Sequence, residues 1–121
     1  MKSIELEIKA LPKTPNQLLG AHWRTRSTHA KKWMFYVQQA FMVRGIQWKL
    51  GLEKAQLTLT RCSSMQCDAD NLRSSFKSVV DALVKLGVII DDKQSVIGEP
   101  VVLWEKARPK AGFIKLRIDY E

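Results

Sequence analysis

Between Ala55 and Asp92 the spacing of apolar side chains shifts from every second residue to a helical period and then to a short unbroken run. That shift constrains the fold more than any other feature of the chain. Residues 54–62 set Ala55, Leu57 and Leu59 against Gln56, Thr58 and Thr60, the pattern of a half-buried strand. From Asp70 to Leu86, the side chains of Leu72, Phe76, Val79, Val80 and Leu83 form one stripe of a helix, and Gly87 stops it. Val88-Ile89-Ile90 then reads as a short apolar strand that ends in Asp91-Asp92. A strand–helix–strand order of this kind suits parallel neighbours in a sheet.

The flanking segments extend the same architecture. Residues 2–9 alternate, with Ile4, Leu6 and Ile8 on one face and Glu5, Glu7 and Lys9 on the other. Pro12, Pro15, Asn16 and Gly20 mark a loop. Ser27 or Thr28 caps a helix running to about Val43, with Ala30, Trp33, Met34, Val37 and Phe41 at helical spacing and Gly45 beyond it. Residues 96–106 and 112–120 read as two further strands. The order β-α-β-α-β-β-β predicts an α/β or α+β fold, a mixed sheet of about five strands packed with two main helices. No repeat, low-complexity tract or Ser/Gly-rich linker interrupts the chain, so residues 1–121 read as a single domain. No apolar run is long enough for a membrane span, and the charged, alternating start lacks the apolar stretch of a secretory signal. The expected location is cytoplasmic. Cys62 and Cys67 agree with a reducing compartment and are too few for a zinc site.

Charge narrows the function classes. The formal net charge is +8, and residues 1–50 carry nine Lys and Arg against only Glu5 and Glu7, a net of +7. Such an asymmetry is a footprint for a polyanion, nucleic acid or an anionic membrane surface. The helix over 28–43 does not place its cations in line with a strong apolar face, which disfavours the membrane. Arg24, Arg26, Lys31 and Lys32, with Arg44 and Lys49 beyond them, are the candidate phosphate contacts. Trp23, in the basic loop, is the tryptophan best placed to stack on a base, whereas Trp33 belongs to the buried stripe. His22 and His29 have no partner at metal-ligand spacing.

The acids cluster as well: Asp68, Asp70, Asp81, Asp91 and Asp92 are five of the twelve, within twenty-five residues. Taken alone, Asp68-Ala69-Asp70-Asn71 reads as a helix start, with Asp70 or Asn71 at the cap and Asp68 a solvated loop acid. Two aspartates two apart in an extended segment also point to one side. If the strands flanking the helix are parallel neighbours, Asp91-Asp92 returns to the same end. Carboxylates within about 4 Å repel by about 4 kcal/mol per pair at an effective dielectric of 20, so such a cluster needs a cation or a proton. Oxygen ligands without His or Cys favour Mg²⁺, with Mn²⁺ as a substitute, over zinc. Lys77 lies two helical turns after Asp70, positioned either to face a phosphate or to pair with Asp81 four residues on.

The linked set Asp68-Ala69-Asp70-Asn71-Leu72, Phe76-Lys77, Asp81-Ala82-Leu83, Gly87-Val88 and Asp91-Asp92 resembles the RusA family of Holliday junction resolvases of lambdoid prophages and their phage relatives. The likeness is densest over residues 66–94 and thinner over 12–35, where Pro15-Asn16 is similar to a Pro- and Asn-containing loop of the family. The resemblance implies a small mixed α/β homodimer that cuts four-way DNA junctions with Mg²⁺. It implies Asp68, Asp70 and Asp92 as metal ligands, with Asp91 in reserve, and Lys77 as the lysine needed for cleavage. Asn16 and Arg73 join Arg24, Arg26, Lys31 and Lys32 as expected DNA contacts. This chain carries three more residues between Asp-Asn-Leu and the lysine than the family's type member, close to one helical turn. The competing expectation is a non-catalytic DNA-binding protein that keeps the fold.

Overall fold

In the computed structural model, which describes residues 1–18, 20 and 22–121 (the side chains of Pro15 and Asn16 excepted), the chain is an α+β fold. Strand β1 (Lys2–Ile8) leads through α1 (Pro15–Leu18) to the long helix α2 (Trp23–Val43). Strand β2 (Gln56–Ser63) is followed by three helices, α3 (Ala69–Ser75), α4 (Lys77–Lys85) and α5 (Gln94–Ile97). Strands β3 (Val101–Lys106) and β4 (Phe113–Tyr120) complete a four-stranded mixed sheet of order β1-β4-β2-β3. β4 pairs antiparallel with both β1 and β2, and β2 pairs parallel with β3.

The period-two segments dictate the register. Ile4, Ile118 and Leu57 stand abreast, as do Leu6, Leu116 and Leu59, so each rung presents three aliphatic side chains to one face. Onto that face come Trp33, Val37 and Phe41 of α2 and Val79, Ala82 and Leu83 of α4, and together they make one continuous core. Full burial of a side chain such as Phe41 contributes about 1.5–3 kcal/mol. The opposite face is polar: Glu5 pairs with Arg117 at 3.3 Å and Lys115 with Glu105 at 2.9 Å, exposed ion pairs that stabilise little.

Both glycine stops expected of the sequence close their helices. Gly45 and Gly87 adopt φ of 67° and 81°, values that a side chain would strain. The N–H groups of Ile46 and Val88 reach back to Phe41 O and Leu83 O, satisfying carbonyls left free at the helix ends.

Four expectations differ from the structure. The first main helix begins at Trp23, capped by His22 rather than Ser27 or Thr28. The second is broken at Phe76 into α3 and α4. Val88–Ile90 is not a sheet strand; Ile89 makes a single parallel bridge to Leu52, although Val88 and Ile89 are fully buried. Residues 94–97 are helical, so β3 starts only at Val101. The sheet therefore has four strands rather than about five. Short apolar runs such as Val88-Ile89-Ile90 and Val96-Ile97 carry burial without period, and burial alone does not separate strand from turn or helix.

Candidate active site

The chain leaves β2 at Ser63, whose hydroxyl donates to Met65 O at 2.9 Å and accepts from Trp104 Nε1 at 2.8 Å. This fixed turn delivers Asp68 to the start of α3. Asp68, and not Asp70 or Asn71, is the cap: its backbone is extended, and its carboxylate accepts the Asn71 N–H at 2.8 Å and Asn71 Nδ2 at 3.1 Å. Asp70 falls in the first helical turn. The two aspartates therefore do not lie in one extended segment, and the reason for expecting them on one side does not apply. Both are exposed, and the helix start favours their negative charge.

Asp91 and Asp92 follow the Ile89 bridge and divide their tasks. Asp91 accepts the Asp92 N–H at 2.7 Å and stands 3.6 Å from Lys93 Nζ. The bond from the Asp92 backbone, followed by the Asp92 side chain and Lys93, holds the Asp91 carboxyl below the usual aspartate range. Asp92 is exposed and lines a groove of about 340 Å³ with Lys77, Asp81, Arg73 and Glu99. Lys77 opens α4 directly after the break at Phe76 and is exposed. Among the described residues it forms no ion pair with Asp81, so the pairing that their spacing allows is not made.

The structure thus joins Asp92 to Lys77 in one groove and leaves Asp68 and Asp70 outside it. Among the described residues no three His, Cys, Asp or Glu side chains stand together as a metal-holding group. The donors suit a hard dication in kind, since all are carboxylate oxygens. In number, the groove offers Asp92 and Asp81, with Glu99 engaged by Arg73, and Mg²⁺ commonly takes one or two carboxylates and completes its shell with water and substrate phosphate.

The cationic candidates lie on α2, which carries Arg24, Arg26, Lys31 and Lys32 and no acid along its whole length. All four are exposed. Arg24 sits 5.3 Å over the Trp23 ring, itself 65% exposed, leaving a flat cationic and aromatic surface at the helix start. Arg73 is engaged by Glu99 at 3.2 Å, and Arg44 donates to Glu5 O at 3.0 Å. The Asn16 side chain lies outside the described residues.

Sequence reasoning passed over Arg61. It occupies the inward position after Leu57 and Leu59, is 7% exposed, and donates to Pro12 O at 2.7 Å. Burial lowers its pKa. An arginine at an inward position of an alternating strand was a visible signal, and its effect is to pin the loop before α1 to the end of β2. Neither a family model nor a curated protein matches the chain. Among the described residues no helix is long and apolar enough to cross a membrane.

Proposed function

We propose that the chain is a magnesium-dependent endodeoxyribonuclease that resolves Holliday junctions and related branched DNA by paired cleavage. In this reading it acts in recombination and repair, as a homodimer, in the cytoplasm of a bacterial or phage-infected cell. The observation that carries the reading is the shared groove of Lys77 and Asp92, contributed by separate elements of a chain whose long helix α2 bears only positive charges.

Each group has a task that its chemistry suits. Exposed Asp92, seconded by half-buried Asp81, offers oxygens for a dication, and Asp68 and Asp70 offer a second pair at the start of α3. Mg²⁺, when bound, polarises the phosphate and acidifies an attacking water. The Lys77 ammonium faces the same groove and stabilises negative charge on the phosphoryl oxygens as it develops. Arg24, Arg26, Lys31 and Lys32 hold flanking phosphates, so affinity should fall with salt at a log–log slope of about 0.9 for each phosphate contact. A two-fold dimer presents two such grooves to strands of like polarity, matching the pseudo-symmetry of a four-way junction.

The deciding experiment incubates a synthetic four-way junction with the protein, with and without Mg²⁺. Paired symmetric nicks that require the ion support the proposal; general duplex degradation or no nicking defeats it. A second reading, a DNA-binding protein without catalysis, is favoured by the aspartates not standing as one group. It predicts junction binding with no saturable Mg²⁺ stabilisation in a thermal melt.

A further inference from the structure

A second cleft, of about 350 Å³, lies between α2 and the α3–α4 run and shares Lys77 and Asp81 with the Asp92 groove. Its exposed rim is formed by Lys13, Arg26, Lys77 and Lys85, with Asp81 the sole carboxylate among the described lining residues. Its less exposed floor is apolar, formed by Leu18, Ala30, Met34 and Ala82. Exposed Ser74 adds a hydroxyl at the edge.

His29 closes one wall. Its Nε2 accepts both the Lys13 N–H and Trp33 Nε1–H, each at 3.2 Å, so the ring proton resides on Nδ1. Burial first, then Lys13 and Lys32, lower its pKa and keep it neutral at pH 7. The wall is therefore polar but uncharged, and the positive charge is concentrated at the rim.

A rim of four cations against one carboxylate calls for an anion. A phosphate alone, however, leaves the apolar floor to water. A flat heterocycle covers such a floor while its attached phosphate reaches the rim. The volume sits near the lower end of the ~300–1,000 Å³ typical of small-molecule sites, enough for one such unit and not a run of them.

We propose that this cleft takes one nucleoside phosphate, its ring against Met34 and Ala82 and its phosphate among Lys13, Arg26 and Lys85. Lys77 borders both this cleft and the Asp92 groove, so a strand threading both leaves one unpaired nucleotide here and its neighbouring phosphate at Lys77. That last step rests on the nuclease reading; the cleft itself does not.

The test is binding in EDTA, where no metal-dependent cleavage occurs. Fluorescence anisotropy compares a ten-residue thymidine strand with an abasic strand of equal length and charge. The wild-type chain should hold the thymidine strand several-fold more tightly. Lys85→Glu should weaken binding about tenfold, roughly 1.4 kcal/mol, whereas Lys54→Glu, an equal charge change at an exposed position outside the cleft, should not. On titration the Met34 methyl resonance should move and that of Met42, exposed on α2, should stay.

Equal affinity for the two strands, equal losses in the two variants, or a silent Met34 overturns the cleft. Displacement of the strand by thymidine monophosphate at equal concentration would keep the cleft and overturn the strand as its source. A chain that passes these tests yet never nicks a junction with Mg²⁺ loses the nuclease reading alone.

Discussion

The two helical regions that cover the sheet are built to opposite plans. α2 is a single unbroken helix of 21 residues with four cations, no acid and a buried stripe of Trp33, Val37 and Phe41. The α3–α4 run is shorter and in two pieces, broken at Phe76, and mixes Asp70 and Asp81 with Arg73, Lys77 and Lys85, with Asp68 as its cap. The first plan gives a surface of one sign; the second alternates two carboxylates with Arg73, Lys77 and Lys85. The comparison shows that charge is segregated by helix: α2 presents cations alone, whereas the α3–α4 run sets carboxylates among its cations.

The largest effect expected concerns chemistry at the groove beside the broken run. Asp92→Asn should abolish junction nicking and preserve junction binding, read on gels with Mg²⁺ present. Asp70→Asn sharpens the result. If both variants are dead, the two carboxylate sets act together on the substrate-bound enzyme; if only Asp92→Asn is dead, the groove alone is the centre.

Stability separates the two faces of α2. Phe41 is fully buried and Phe35 is 57% exposed. Phe41→Ala should cost about 3–5 kcal/mol in urea denaturation, and Phe35→Ala should stay within about 0.5 kcal/mol of the parent. Similar losses at both positions would mean that the exposed face of α2 is covered in solution. On the other run, Asp68→Ala removes the cap and should lower stability by about 1 kcal/mol, measured the same way.

The smallest effect is the pH response of His29. Its pKa is lowered on folding, so the unfolded chain takes up the proton first as pH falls. Its share of stability is therefore unchanged above the unfolded value near 6.5 and declines below it, levelling off once the folded state also protonates. Melting between pH 7.5 and 5 should show the decline, and His29→Gln should flatten it; an unchanged slope would deny His29 its neutral, doubly accepting state.

Much of this contrast was legible in the chain. The cationic character of α2, its buried stripe and its glycine stop all follow from local spacing, as does the partnership of Phe76 and Leu83 with the core. The break at Phe76 was not legible, because its stripe of apolar residues continues through it without Gly or Pro. The cap, expected at Asp70 or Asn71, falls at Asp68, because all three are competent caps and local sequence does not rank them. Arg61 was hidden by its neighbours: an alternating strand announces its inward positions but not which polar group a distant loop will bring to meet them.

The amino-acid order by itself determined which segments alternate, which coil, where α2 and α4 stop, and that positive charge gathers in the first half, because each is a property of residues a few positions apart. The tertiary structure alone decided that β4 lies between β1 and β2, that Val88–Ile90 stays out of the sheet, and that Asp92 and Lys77 line one groove whose lining does not include Asp68 or Asp70. Those outcomes depend on how distant faces compete to be buried together, and no local spacing records which pairing wins.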